Sequence, residues 1–404
     1  MYETSIAKNG CSTHMRMFDL TIKQMRFNIL LIVGATVLIL LIGCTPPKNQ
    51  NDSELIHINL RGTFPEREIR LEEVANIEFL QLETHVDYLF RGFPQIVTAD
   101  KIIFAEPLSG NVLVFSRDGR PISRFNRQGG GPEEFPQFRG IVFDEATNEI
   151  FIKTTGRIMV YSLTGELLRV LPFVEGLLVP GGILQYDAES LVLRGNVYPL
   201  PFTIVSKQDG SVVGTIELPP IEKKLNTSRP IPIPGTDRHM HVYLGHSLVR
   251  LRNGFLVNTH ATDTVFLYQN RELTPFLVRT PGIGSTPPFG VLSSFFETKN
   301  FHFFSFSRFD PTRSGSSIFD GSNLIRDRRT GAIYRQRIVF DDFRGRHVTI
   351  NSNNVRCSGI GLIRLDLVEL QDANDEGRLS GRLREIVEKS EEDGNDVFML
   401  LHFK

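Results

Sequence analysis

Tryptophan is absent from this 404-residue chain, and cysteine occurs only three times. Without Trp the chain lacks the side chain best suited to stack on sugar rings, which counts against carbohydrate recognition. The cysteines stand far apart: Cys11 ahead of any patterned segment, Cys44 at the end of an apolar run, and Cys357 alone in the body. A disulfide within the domain is therefore excluded, although an oxidising compartment remains compatible. Net charge is also missing. Lys and Arg number 45 against 46 Asp and Glu, and removing residues 1–43 leaves 41 against 44. That balance offers no field for a polyanion, so nucleic acid is a poor partner. No G-x-S-x-G elbow anchors a Ser/His/Asp constellation. The glycines at 129–131 precede neither Gly-Lys-Ser/Thr nor a helix, and Glu133 and Glu134 beside them repel phosphate. That loop reads as a connection needing unusual backbone angles.

One long apolar run is present. Lys23 and Arg26 precede Phe27–Ile42, which ends in Leu41-Ile-Gly-Cys44. A charged start, an apolar stretch and a small residue before the cut make a secretory signal, and a Cys directly after the cut resembles a bacterial lipobox. The sequence thus divides into an N-terminal extension and signal over 1–43, a polar, Pro-containing tether over 44–54, and a body over 55–404. Met15, Met17 and Met25 are alternative starts to Met1. A membrane-spanning anchor is the competing reading of the apolar run. No acidic cluster of the kind that would resemble a lipoprotein family's surface-export signal follows Cys44, so the expected attachment is at the outer membrane facing the periplasm rather than the cell surface.

The chain is 41% hydrophobic overall, and its body is patterned in short alternating runs. Val112 and Val114, then Ile122, flank Asp118-Gly119, a dipeptide suited to a tight hairpin. The pattern recurs around Thr164-Gly165 and Asp209-Gly210, and more weakly around Asn270 and Thr330-Gly331. The first three turn glycines are 46 and 45 residues apart, a propeller-blade period. Five hairpins, plus one blade closed by the two chain ends, predict an all-β, six-bladed β-propeller. Leu383, Ile386 and Val387 predict a short helix before a closing strand, Val397–Phe403, and Gly361–Leu370 reads as a further strand.

Arg127-Gln-Gly-Gly-Gly-Pro-Glu-Glu-Phe135, after the hairpin ending Ile122-Ser-Arg-Phe125, resembles a motif of the six-bladed propeller lipoproteins of Bacteroidetes, relatives of the NHL-type propellers. Together with the C-terminal strand–helix–strand, the resemblance covers roughly residues 55–404; Glu133 departs from it where the family often has Gly. It implies a fold and an envelope address rather than a reaction.

Candidate functional residues follow. His239-x-His241 on a strand would point both imidazoles to one face, with His246 and Asp237 nearby, a weak metal site. Calcium-dependent hydrolases of this propeller type imply Glu106, Asp144, Asn258 and Asp263 as axial ligands. Pro219–Pro234 and Arg279–Thr298 read as long loops forming one binding rim, with Phe289, Phe295, Phe296, Arg279 and His239 on it. Arg326, Arg328, Arg329, Arg335 and Arg337, amid acidic neighbours, read as a solvated face. The expected role is a monomeric, non-enzymatic scaffold binding a ligand or an envelope protein, with no cofactor and a lipid link to the membrane. The alternative is a metal-dependent hydrolase or lyase at the axial mouth.

Overall fold

The computed structural model describes residues 55–404 apart from 91, 174–180, 196–201, 220–227, 233–236, 238, 244–246, 252, 259–261, 281, 283–288, 310–318 and 351–359. Leu55–Lys404 form one compact unit. The unit opens with three strands that belong to distant sheets: β1 (Ile56–Asn59), β2 (Glu66–Arg70) and β3 (Ala75–Gln81), with a helical turn α1 (Leu71–Val74) before the third. Six blades follow in chain order. Blade I is β4 (Pro94–Val97), β5 (Lys101–Ala105), β6 (Asn111–Ser116) and β7 (Pro121–Asn126). Blade II is β8 (Gly140–Asp144), β9 (Glu149–Lys153), β10 (Arg157–Tyr161) and β11 (Leu167–Pro172). Blade III is β12 (Ile183–Gln185), β13 (Ser190–Arg194), β14 (Phe202–Ser206) and β15 (Val212–Ile216).

An extra hairpin, β16 (Ser228–Pro232) with β17 (His239–Tyr243), precedes blade IV. Blade IV is β18 (Ser247–Leu251), β19 (Gly254–Asn258), β20 (Thr264–Gln269) and β21 (Glu272–Thr280); blade V is β22 (Phe289–Glu297), β23 (Phe301–Phe309), β24 (Phe319–Asp327) and β25 (Ile333–Val339), joined by β26 (His347–Val348). Blade VI contains β27 (Gly361–Leu365) and β28 (Val397–Phe403), separated by helices α2 (Leu367–Asp375) and α3 (Gly381–Val387). The opening strands complete the last three blades. β1 adds parallel to β21, β2 adds parallel to β25, and β3 pairs antiparallel with β28. The ring therefore closes through both chain ends, as the apolar terminal strand predicts, and β28 has no free edge.

The core lies between blades, because a four-stranded sheet has two apolar faces and must cover both. Val114 of blade I packs with Ile152 and Tyr161 of blade II; Val160 of blade II packs with Leu191 and Val205 of blade III; Phe398 of blade VI packs with Phe104 and Phe115 of blade I. The predicted turn residues take left-handed angles, with φ of 92° at Gly119, 82° at Gly165, 76° at Gly210 and Gly331, and 53° at Asn270. Close approach reinforces the requirement at two of them. A Cβ on Gly119 would lie 2.3 Å from the Gln81 carbonyl oxygen of blade VI, and one on Gly165 would lie 2.4 Å from the Phe125 ring of blade I. Each turn thus leans on the preceding blade.

Polar links cross the same seams. Arg127 Nε donates to the Gly165 carbonyl at 2.8 Å, and Arg169 Nη2 to the Lys207 carbonyl at 3.0 Å. Lys207 Nζ meets Asp144 Oδ2 at 2.7 Å, with both side chains only 7% exposed. Burial pushes the Asp144 carboxyl up, but the hydrogen bond and charge of Lys207 outweigh it and hold the group below its ordinary range. Removing one partner of such a pair typically costs about 3–5 kcal/mol.

Three segments differ from their sequence reading. The proline-rich stretch contains β16, where Pro230 and Pro232 lie two apart, so their missing N–H groups fall on one side and the intervening residues remain free to pair. The stretch from Arg279 contains the end of β21 and all of β22 rather than one long loop. The strand from Gly361 stops at Leu365, because Asp366 accepts hydrogen bonds from the N–H groups of Val368 and Glu369 and caps α2. The predicted helix is α3, with Leu383, Ile386 and Val387 buried. Among the described residues no helix is long and apolar enough to cross a membrane.

Candidate functional site

The seam between blades III and IV holds a cavity of about 520 Å³. One wall is the β14–β15 surface, with Ile204, Val213, Gly214 and Thr215; Tyr268, Arg271 and Leu273 of blade IV stand opposite, and Tyr186, Asp187 and Glu217 stand at the margins. Local structure explains its shape. Asn270 and Arg271 both take positive φ, 53° and 66°, so a tight two-residue turn presents Arg271 beside the cavity. Tyr186 stacks on Phe255 with 5.7 Å between ring centroids and 3° between planes, and its hydroxyl lies 3.5 Å from that of Tyr268. Burial, together with the hydrogen bond to Tyr186, pushes the Tyr268 phenol up to about 12, so it stays protonated and can donate. Asp187 and Glu217 are exposed and form no ion pair with a described residue. The cavity thus offers carboxylates, one guanidinium and two phenols beside the apolar side chains of Ile204, Val213 and Leu273. Such a set is chemically able to bind a ligand by shape, hydrogen bonds and charge.

Three of the five sequence-predicted rim residues, Phe295, Phe296 and Arg279, sit in packed surroundings. Phe295 is 1% exposed, with its ring 5.2 Å from both Phe276 and Phe304, and it belongs to the core between blades IV and V. Phe296 is half-buried, 4.5 Å from Phe403 of the closing strand. Arg279 is 1% exposed, and its guanidinium donates to the backbone carbonyls of Asp263 and Thr262. Burial lowers Arg279 to about 10 despite the opposing charge of Asp263. These three are structural because the expected loop is largely strand: alternation turns the adjacent Phe295 and Phe296 to opposite faces, each covered by a different core cluster, and Arg279 lies buried near the end of β21. Phe289 begins β22, and His239 and His241 lie on β17. His246 lies outside the described residues. Among the described residues no three His, Cys, Asp or Glu side chains group in a way that could hold a metal.

The four axial carboxylate and amide candidates serve separate local roles. Glu106 accepts from Ser109 and Asn111 within its own turn, and Asp144 pairs with Lys207. Asn258 is buried and donates to the Leu292 carbonyl at 2.6 Å across the blade IV–V seam, while Asp263 accepts from Arg279 through its backbone. The Gly129–Gly131 loop is a structural connection, as its sequence predicts. The Gly131 N–H binds Glu134 Oε2 at 2.8 Å, Tyr161 donates its hydroxyl to the Glu133 carbonyl at 2.8 Å, and Phe135 is buried against Phe138. The loop's own glutamate therefore fills the backbone pocket that an anion would need. In the arginine-rich hairpin Arg329, Arg335 and Arg337 are exposed, as the solvated-face reading expects, and Arg337 on β25 meets Glu66 and Glu68 of β2. The seam cavity was not legible in the sequence: its walls come from two blades, and only the weak Asn270 turn pointed there.

Comparison with known proteins gives family and fold. No curated protein matches. Among solved structures, one described as a "Putative exported protein" from Bacteroides fragilis aligns with a TM-score of 0.58 at 14% identity, covering 87% of this chain and 100% of that one. A member of the duf4221 family from Bacteroides vulgatus aligns with a TM-score of 0.46 at 11% identity, covering 82% of this chain and 97% of that one. The first of these supports the propeller fold; neither bears on activity at such identity. Residues 55–402 match the domain of unknown function DUF4934, which spans all six blades, and the chain belongs to that family.

Proposed function

We propose that this protein is a non-enzymatic binding scaffold of the cell envelope, a propeller that engages a ligand or protein partner at the cavity between blades III and IV. The observation that carries the reading is the composition of that cavity: Glu217, Asp187 and Arg271 stand around about 520 Å³ of partly apolar space without being consumed by ion pairs among the described residues. Charged groups left unpaired around a partly apolar recess favour recognition over core packing. The proposed address rests on Leu41-Ile-Gly-Cys44, with residues 1–43 as extension and signal, 44–54 as tether and acylated Cys44 as the anchor, on the periplasmic side of the outer membrane. The likeness to a Bacteroides fragilis protein described as exported is in keeping with that address.

The test is affinity capture from solubilised envelope with the wild-type chain beside Arg271→Glu and Glu217→Lys. Both side chains are exposed, so the variants should fold normally, and each should lower recovery of the captured partner by about tenfold, corresponding to roughly 1.4 kcal/mol. Equal recovery by all three would place the function elsewhere.

A further inference from the structure

We infer that the outer edge of blade III, β15, receives an extended peptide strand carrying a basic side chain, so that a partner supplies the fifth strand this blade lacks among the described residues. The inference rests on the scaffold reading and gives its partner a chemistry. Blades IV and V already take a fifth strand, added parallel to the fourth strand: β1 on Leu277–Thr280 and β2 on Arg335–Val339. In blade IV the receiving residues follow a bulge opposite Val265 and Phe266, and blade III carries the same bulge opposite Ile204 and Val205. The residues after it are Gly214, Thr215 and Ile216, and the cavity is lined by Gly214, Thr215 and Glu217. The cavity therefore borders β15, the strand equivalent to those that receive a chain segment in the next two blades.

The edge is chemically ready for pairing. Ser206 N–H bonds to the Ser211 carbonyl at 2.9 Å, and Ile204 and Phe202 stand opposite Gly214 and Ile216. Alternation then turns the Thr215 N–H away from β14 and outward. Val212 and Val213 are 44% and 55% exposed, which a bare edge strand would ordinarily avoid. Among the described residues three other outer edges are bare, and they are less suited: on β3 of blade VI, Glu78 is already engaged by Arg117 of blade I, and the remaining two are β7 and β11. The turn Val86–Tyr88 sits against β7, where Arg124 donates to the Asp87 carbonyl, and β11 ends in Pro172 after Arg169 is committed to Glu149. Main-chain pairing gives affinity in such strand addition, and side-chain pockets give selectivity. Here Asp187 and Glu217 supply two carboxylates against the single Arg271, which selects a Lys or Arg on the incoming strand.

The experiment is selection of phage-displayed decapeptides on the full chain, followed by affinity measurement on Thr215→Pro and Glu217→Lys. Proline at 215 deletes the outward donor together with the threonine hydroxyl, and the melting temperature reports whether the blade survives it. The expected result is enrichment of alternating β-branched sequences with a Lys or Arg, bound at least about tenfold more weakly by Thr215→Pro at unchanged melting temperature. If that variant melts early, Glu217→Lys carries the test by weakening the basic peptides alone. The inference is overturned if binders ignore both substitutions, if enriched peptides lack basic residues, or if the edge pairs with a second copy and the chain sediments as a dimer. A partner captured through Arg271 that competes with no peptide would sink this inference and leave the scaffold reading standing.

Discussion

His302 shows how a single side chain can set the acid stability of a blade. It is 5% exposed, ringed by Phe276, Phe295 and Phe304 at 5.9, 5.5 and 6.0 Å, and its Nδ1 has no hydrogen-bond partner among the described residues. Burial, with the positive fields of Arg328 and Arg326 behind it, lowers the imidazole from 6.5 to about 3. The folded protein thus keeps His302 neutral where the unfolded chain takes up a proton, so stability falls as pH drops below 6.5. From pH 7 to pH 5 this group alone accounts for a loss of about 2 kcal/mol. Glu297, whose Oε2 lies 3.9 Å from His302 Nε2, works the other way: burial raises its carboxyl against the pull of Arg328, so the folded state gains relative stability as acid protonates it. Replacing His302 with Phe should remove the destabilising component, leave neutral-pH stability equal or higher, and flatten the acid limb. Denaturant unfolding at pH 7 and pH 5 measures this; parallel losses in both proteins would refute the assignment.

At the level of the element, the closing strand makes the sharpest prediction. β28 pairs with β27 on one side and β3 on the other, and Val397–Leu401 are all buried. Deleting residues 395–404 should expose two edges and one face of the blade I seam, lower solubility and abolish a single cooperative unfolding transition. A truncated protein that melts like the intact one would overturn it. This closure was legible in the sequence because a strand as apolar as Val397–Phe403 has to be covered on both faces, and the turns were legible because left-handed angles restrict residue choice at Gly119, Gly165 and Gly210. What the sequence hid follows from equally definite causes. Phe295 looked available because a proline-rich stretch concealed the long strand β22, and only the register with β23 shows which phenylalanines turn inward. The capping pattern Asp366-x-x-Glu369 marked the start of α2, but it sat at the end of an apolar run that reads equally well as a strand. A cavity assembled from two blades leaves no contiguous signal at all.

For the whole molecule, address is tested first at Cys44. Cys44→Ser should abolish acylation and leave unprocessed precursor, read by palmitate labelling and by mass; a Ser variant that still labels and fractionates with membrane at its mature mass would remove the anchor from the proposal. The threading of residues 55–81 has a different kind of consequence, one of timing. β1, β2 and β3 are made before any blade, yet their partners are β21, β25 and β28, the outer or closing strands of the last three blades. Register pairs such as Ile77 with Leu401 span nearly the whole domain, so these contacts cannot form until the end of the chain has emerged. Blades I to III can assemble as they appear, while the opening segment waits unpaired with its strand-forming residues exposed. Long-range pairing of this kind is slow, and unpaired edges invite aggregation. The earliest strands of the domain are therefore among the last to find their places, and the waiting chain is the species a folding assistant would have to protect.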